Sequence, residues 1–384
     1  MENSLMNTYA PLTPVIAKGE GTYLFDTDGN KYLDLTSGIG VNCLGYNNKN
    51  WTEAVEKQIH TVQHCSNIFL NPTTVELANK ITKLSNMSKV FFANSGAEAN
   101  EGAIKLARKY SFDKYGKGRS TIITLKESFH GRTITTLKAT GQPEKFHNYF
   151  FPFTEGFKYV EANNVQDLKD NITDDVCAIM MEAIQGESGV TPLSDEFVSA
   201  AYSIAKEKDI LLIFDEVQCG LARSGKLYGY NYYNVEADIV SLAKGLAGGL
   251  PIGAVLCNEK LSNTFKPGDH GSTFGGNPVS CAAAIAVLDT IGNEEFYKSV
   301  EEKGNLIKKL ITDANLEQVV EVRGRGLMIG IQVKCNPSDI QKKAVEKGVL
   351  VLTAGKDVVR LLPPLTISEE EIKFGVETLI ELLK

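Results

Sequence analysis

The chain has 384 residues, of which 43% are hydrophobic and 23% charged, a globular composition with room for one large α/β domain plus a smaller attachment, or for two to three domains. A net charge of −7, a pI near 5.5 and the lack of any Lys/Arg block argue against a nucleic-acid surface. Seven scattered cysteines with no C-x-x-C argue against a disulfide framework or structural zinc; with no leader pattern and no apolar run of about 18 residues, the expectation is a cytoplasmic protein without a membrane partner.

Residues 1 to about 50 read as short strands and turns, with Gly21-Thr-Tyr-Leu-Phe strand-like and Asp28-Gly29-Asn30 a hairpin signal. A glycine-spaced segment, Ser37 to Gly45, follows without helical period. Helices are expected over Thr52–Thr61 and after Asn71-Pro72, where proline suits a first helical position. His60 and His64 lie four apart at the end of the first of these, beside Cys65, but no third ligand is evident and no metal site is expected.

From about residue 88 to 257 strands and helices alternate. Strands are expected at 89–93, 121–125, 176–182, 210–215, 238–243 and 252–257, and helices at 97–110 and 195–208. That spacing predicts βα units and a mostly parallel sheet with both faces covered. Beyond Asn277-Pro278 a long helical stretch (278–313) leads to a strand (319–334), a helix (337–347), a strand (349–352), another strand into Pro363-Pro364, and a last helix opened by the capping box Ser368-x-x-Glu371. The expected division is an N-terminal segment 1–50 joining a small domain, a large domain 51–284, and a C-terminal small domain 285–384.

Groups able to do chemistry fall at the ends of the expected strands. Asn94-Ser95-Gly96-Ala97-Glu98 follows a strand and opens a helix; its small residues admit a phosphate to free backbone N–H groups, and Ser95 with Glu98 also makes an ordinary capping box. Phe129-His130-Gly131-Arg132 sets a ring-stacking aromatic three residues from a guanidinium that can grip a carboxylate, or is a core Phe with a surface Arg. Glu182 and Glu187 flank another strand end. Gly220-x-x-x-x-Gly225-Lys226 imitates a P-loop, but Leu227 stands where Mg²⁺ needs Ser or Thr. Asp215 and Lys244 close two apolar runs. A carboxylate that keeps a pyridine nitrogen protonated and a lysine that forms a Schiff base are the two parts a pyridoxal phosphate enzyme requires.

Together, Asn94–Glu101, Phe129–Arg132, Gln185-Gly-Glu187, Asp215-Glu-Val-Gln218, Lys244-Gly245, Gly271–Pro278 and Arg360-Leu-Leu-Pro-Pro resemble the class-III, ornithine-type pyridoxal phosphate aminotransferases, in order along essentially the whole chain. The resemblance implies a fold-type I α/β architecture: a large domain with a mostly parallel sheet, a small α+β domain from both chain ends, and a homodimer with shared active sites. It implies that Lys244 forms the Schiff base and Asp215 pairs with the pyridine nitrogen. Gln218 then reaches the ring hydroxyl, Phe129 and Val217 sandwich the ring, and Ser95, Gly96 and Ala97 hold the phosphate with Thr273 of the other subunit. Arg132 and Arg360 bind substrate carboxylates, Glu187 pairs Arg360 when the other substrate is present, and Ser272, Tyr9 and Ile39 complete the substrate set.

Within the family, Tyr9-Ala-Pro and Ser37–Asn42 are most similar to the branch that transfers the δ-amino group of N-acetylornithine to 2-oxoglutarate, giving glutamate, and that runs in reverse to make acetylornithine in arginine biosynthesis. Ornithine-specific members carry tyrosine where Ile39 stands. Ornithine, succinylornithine, succinyl-diaminopimelate and 4-aminobutyrate are the alternative amines. Tyr46, Ala183 and Cys219 depart from the usual His, Pro and Thr, away from the ring contacts. A P-loop hydrolase and a non-catalytic binding protein are the competing readings from other classes.

Overall fold

Seven short segments, nearly all of them apolar, build the central sheet of the computed structural model, which describes residues 4–143, 146–147 and 149–384. In chain order they are β1 (Lys89–Ala93), β2 (Thr121–Leu125), β3 (Phe157–Val160), β4 (Val176–Met181), β5 (Leu211–Asp215), β6 (Ile239–Leu242) and β7 (Gly253–Cys257). Every residue of β2, β4, β5, β6 and β7 is buried, as a strand covered on both faces requires. Their order across the sheet is β1-β7-β6-β5-β4-β2-β3. β7 alone runs antiparallel to its neighbours; the pairs among β6, β5, β4, β2 and β3 are parallel. The carboxyl ends of the parallel strands and the start of β7 therefore lie on one edge.

The longest connecting helix, α1 (Gly96–Tyr115), buries Ala99, Ala103, Leu106 and Ala107. Asp195–Lys208 is a second, capped by Ser194. β3 and the helix Val165–Asn171 after it were not legible in the sequence, because Phe157-Lys-Tyr-Val is only partly buried at the sheet edge.

Several expected elements are shorter than their patterns suggested. The stretch 278–313 is two helices, Pro278–Ile291 and Glu294–Asp313, parted at Gly292 and Asn293, whose side chain caps the second. The expected boundary at 284 falls inside the first of these, which packs on the helices Lys49–Ile59 and Pro72–Ser85. Residues 319–334 form a hairpin, Val319–Arg325 with Met328–Val333, turning at Gly326 with φ +51°. The first helix ends at Ile59 with His60 as its C-cap, so His60 and His64 do not share a helix face; His64 instead lies 5.4 Å from the Phe274 ring. The chain ends meet: Val349–Leu350 pairs in parallel with Lys31–Asp34, extending a sheet begun by Ile16–Glu20 and Tyr23–Asp26. The final helix, Glu369–Leu383, carries the expected Ser368/Glu371 capping box.

Candidate active site

A cavity of about 410 Å³ opens at the shared strand edge, a volume suited to a small cofactor with its substrate. Most of its walls are strand ends. Asn94, Ser95, Gly96 and Ala97 follow β1; Phe129, His130 and Arg132 follow β2; Glu182 follows β4; Asp215, Val217 and Gln218 close β5; Ala243 and Lys244 close β6; and Leu250, Pro251 and Ile252 lead into β7.

At one end stands the start of α1. Ser95 Oγ accepts the N–H of Glu98 at 3.2 Å, and the carbonyl of Ser95 accepts that of Ala99. Glu98 reaches back to Asn94, accepting its backbone N–H at 2.7 Å and its Nδ2 at 2.8 Å. The first-turn N–H groups of Gly96 and Ala97 are thereby left for an anion at the positive end of the helix. Gly96 is also a packing requirement, since a Cβ there would stand 2.9 Å from Val217 Cγ1.

On the floor, Asp215 is 3% exposed. Its Oδ2 accepts His130 Nδ1–H at 2.8 Å and Asn100 Nδ2 at 2.7 Å, and its Oδ1 accepts Val217 N–H at 3.0 Å. Asn100 Nδ2 also donates to the carbonyl of His130 at 2.7 Å. A carboxylate so ringed by donors is fixed in place and suits a charge-assisted bond to a protonated ring nitrogen. Sequence reasoning missed Asn100; the available signal was a polar residue among the small and apolar ones of the buried stripe of α1.

Lys244 adopts a left-handed backbone, φ +42°, the kind of strained conformation that collects at functional positions. Desolvation pulls its amine below the usual lysine range, and the charge of Arg360 adds to this while Glu187 and Asp215 oppose it. The result is an amine more readily neutral, and so more nucleophilic.

Beside the cavity lies a four-residue gate. Arg360, 2% exposed, donates through Nη1 to Glu187 Oε1 at 2.6 Å, Gly186 O at 3.1 Å and Gln218 Oε1 at 3.0 Å. Gln218 Nε2 donates to Glu187 Oε1 at 3.1 Å, leaving its second hydrogen for a ring hydroxyl. Arg360 Nε is buried without a partner among the described residues, a free donor for an incoming carboxylate. Burial raises Glu187, but Arg360, Lys244 and Gln218 together hold it below the ordinary carboxylate range. Arg132 is exposed at the far side, its guanidinium 5.4 Å from the Phe129 ring centre.

Other expected site residues lie outside these walls. Tyr9 is 85% exposed. Ile39 is 42% exposed in a run of left-handed residues, Ser37 to Gly40, with its own φ at +68°, which is costly for a β-branched side chain. Val41, two residues on, does line the cavity. Thr273 is exposed and borders a different depression, and Ser272 Oγ takes a 3.1 Å bond from Asn94 Nδ2. The P-loop look-alike is a string of turns whose Arg223 is buried against the carbonyls of Leu327 and Pro363, so it presents no phosphate cradle.

The donor set fits pyridoxal phosphate: free N–H groups for a phosphate, a fixed carboxylate for the ring nitrogen, an amide for the hydroxyl, Phe129 and Val217 for the faces, and an amine for the aldehyde.

Known proteins resemble the chain along its length. Residues 5–383 match the model of the class-III aminotransferases. The chain is 50% identical to an acetylornithine aminotransferase of Caldanaerobacter subterraneus over 99% of this chain and 97% of that one, and 44% identical to one of Methanocaldococcus jannaschii over 98% and 95%. An ornithine aminotransferase of Toxoplasma gondii superposes with a TM-score of 0.94 at 31% identity, covering 98% and 91%, and another structure of that enzyme reports PLP at its active site. An N-acetylornithine aminotransferase of Stenotrophomonas maltophilia superposes with a TM-score of 0.85 at 33% identity, covering 97% and 95%. The chain belongs to the class-III aminotransferases.

Proposed function

We propose that the protein transfers the δ-amino group of N-acetylornithine to 2-oxoglutarate, giving N-acetylglutamate 5-semialdehyde and glutamate, in the cytoplasm and as a homodimer. The observation that carries the reading is the convergence of Lys244, Asp215 and the α1 start on one cavity beside the Arg360–Glu187 gate. Relatives named acetylornithine aminotransferase at 42–50% identity support the amine.

Pyridoxal phosphate, when bound, supplies an electron sink for the carbon that loses its proton and carries the amino group between the two substrates. Asp215 keeps the ring nitrogen protonated through a bond of the charge-assisted kind, about 1.5–3 kcal/mol. Lys244 would hold the aldehyde carbon of the cofactor and is the base that would move the proton at the δ carbon of acetylornithine. Arg132 takes the α-carboxylate. While the acylated amine is bound, Glu187 neutralises Arg360. When 2-oxoglutarate follows, Arg360 swings from Glu187 to the second carboxylate, with Nε already free. Ile39, outside the cavity wall but two residues from Val41, which lines it, is assigned to the acyl group, which hydrocarbon suits better than it suits a free α-amine.

The dimer rests on an apolar patch. Ile68, Phe69 and Leu70 are 85%, 69% and 89% exposed, and Phe274 is 60% exposed. Asn67 Nδ2 ties the two segments together through the carbonyls of Ser272 and Gly275 at 3.0 and 2.9 Å. A second copy covering this patch would receive Thr273 at its phosphate site.

The test is a panel of acetylornithine, ornithine, succinylornithine and 4-aminobutyrate at equal concentration with 2-oxoglutarate. The highest kcat/KM for acetylornithine is expected. Ornithine is the second reading, favoured by the TM-score of 0.94 to an ornithine enzyme, and turnover led by ornithine would overturn the assignment of Ile39.

A further inference from the structure

Glu182 is not required by the chemistry above, yet it is 4% exposed and lines the cavity. Its two oxygens are divided between the two ends of the site. Oε1 accepts the backbone N–H of Phe129 at 2.9 Å, and Oε2 accepts that of Gly186 at 3.2 Å.

Each arm leads to a guanidinium. From Phe129 the chain runs three residues to Arg132, and that short path is rigid. His130 N donates to Thr140 Oγ1 at 2.9 Å, His130 Nδ1 is held by Asp215, and a Cβ on Gly131 would stand 2.8 Å from Ala97 Cβ. From Gly186 the path is one bond, because its carbonyl accepts Arg360 Nη1 at 3.1 Å. A Cβ on Gly186 would collide with the Gln218 amide, the same amide that bridges Arg360 and Glu187.

We propose that Glu182 is a positioning residue that fixes the separation between Arg132 and Arg360, and so sets the chain length of the 2-oxo dicarboxylate the enzyme accepts. The inference rests on the reading of these two arginines as the carboxylate sites. A five-carbon dicarboxylate must satisfy both guanidiniums at once, so it senses their spacing. The acylated amine uses Arg132 while Arg360 stays with Glu187, so it does not. Among the described residues no other acidic side chain in the site accepts from both segments: Asp215 holds His130, and Glu187 holds Arg360.

Glu182→Gln tests this, because an amide offers one oxygen where two backbone N–H groups point, and one of them loses its acceptor. The readout is kcat/KM for four-, five- and six-carbon 2-oxo dicarboxylates beside that for acetylornithine, with the thermal midpoint as a folding control. The preference for five carbons should shrink on the order of 10-fold, the scale at which a site discriminates one methylene, a larger change than that in kcat/KM for the amine, which engages Arg132 alone. Gly186→Ala displaces the same arm and should shrink the same preference. The double variant should lose less than the product of the two single losses, as coupled sites do, and Gly186→Ala alone carries the test should Glu182→Gln fail to fold. An unchanged length preference, or an equal loss on the amine and on every dicarboxylate, overturns the proposal. Arg360→Ala in the wild-type background separates the two layers: if it leaves the KM for 2-oxoglutarate unchanged, the carboxylate-site reading fails, not the spacing argument alone.

Discussion

Glu187→Gln separates the two half-reactions. In the structure Arg360 is held by Glu187 through one tight contact, 2.6 Å to Oε1, and one long one, 3.5 Å to Oε2, so a single charge-assisted bond is at stake. Such a bond is worth about 1.5–3 kcal/mol, whereas the neutral bond a glutamine oxygen would keep is worth about 0.5–1.5 kcal/mol. The difference, about 1–1.5 kcal/mol, corresponds to about a 5- to 12-fold change. Gly186 O and Gln218 Oε1 still restrain Arg360 in the variant, which keeps the guanidinium in place. With less to leave behind, it engages a substrate carboxylate more readily. The half-reactions are to be followed separately by stopped-flow absorbance, with glutamate or acetylornithine as the amino donor. Half-saturation for glutamate should fall by about that factor, and kcat/KM for acetylornithine should fall as Arg360 is left unneutralised beside it. If glutamate half-saturation is unchanged or rises, Glu187 does not compete with the dicarboxylate and the gate is wrongly drawn.

Asp215→Asn keeps the shape of the floor but removes the charge, so cofactor should remain bound while kcat falls by about 10- to 100-fold, the value of one charge-assisted bond; steady-state kinetics on the fully loaded variant checks it, and an unchanged kcat would remove Asp215 from its role. Glu216 gives the pH dependence. It is fully buried, and burial pushes its carboxyl up to about 7 from 4.5, against bonds from the N–H groups of Gly229 and Tyr230 and from Cys219. Because the folded value is raised, its contribution is fully present below about pH 4.5 and is lost as pH rises through about 7. Relative to Glu216→Gln, the wild-type protein should therefore lose on the order of 3 kcal/mol between pH 5 and pH 8; denaturant titrations of both proteins at the two pH values would show it, and a constant difference would refute it.

How much of this was legible in the sequence depends on the range of the interactions. Leu211–Asp215 and Val176–Met181 announced themselves as buried strands because both faces are covered and every position is apolar, save Asp215 at the end of the first. Asp215 and Lys244 stood out because each ends such a run. The turn Gly292-Asn293 and the hairpin at Gly326 were hidden, since one apolar pattern spans each break and only local chemistry marks it: the Asn293 cap in the first case and a left-handed glycine in the second. The partners of the site residues were hidden for a different reason. Asn100 is 115 positions from Asp215, and Glu182 is 53 from Phe129. Hydrogen bonds of that span leave no periodicity in the sequence; they exist only once the strand order brings β1, β2, β4 and β5 to one edge.

The central claim is that Lys244 is the amine that bonds the cofactor. Borohydride reduction of the purified, cofactor-loaded enzyme followed by peptide mass mapping tests it most directly. A phosphopyridoxyl increment on the peptide containing Lys244, and its disappearance in Lys244→Ala, is the predicted result. An increment on another lysine, or retention of a reducible linkage in Lys244→Ala, would contradict the account.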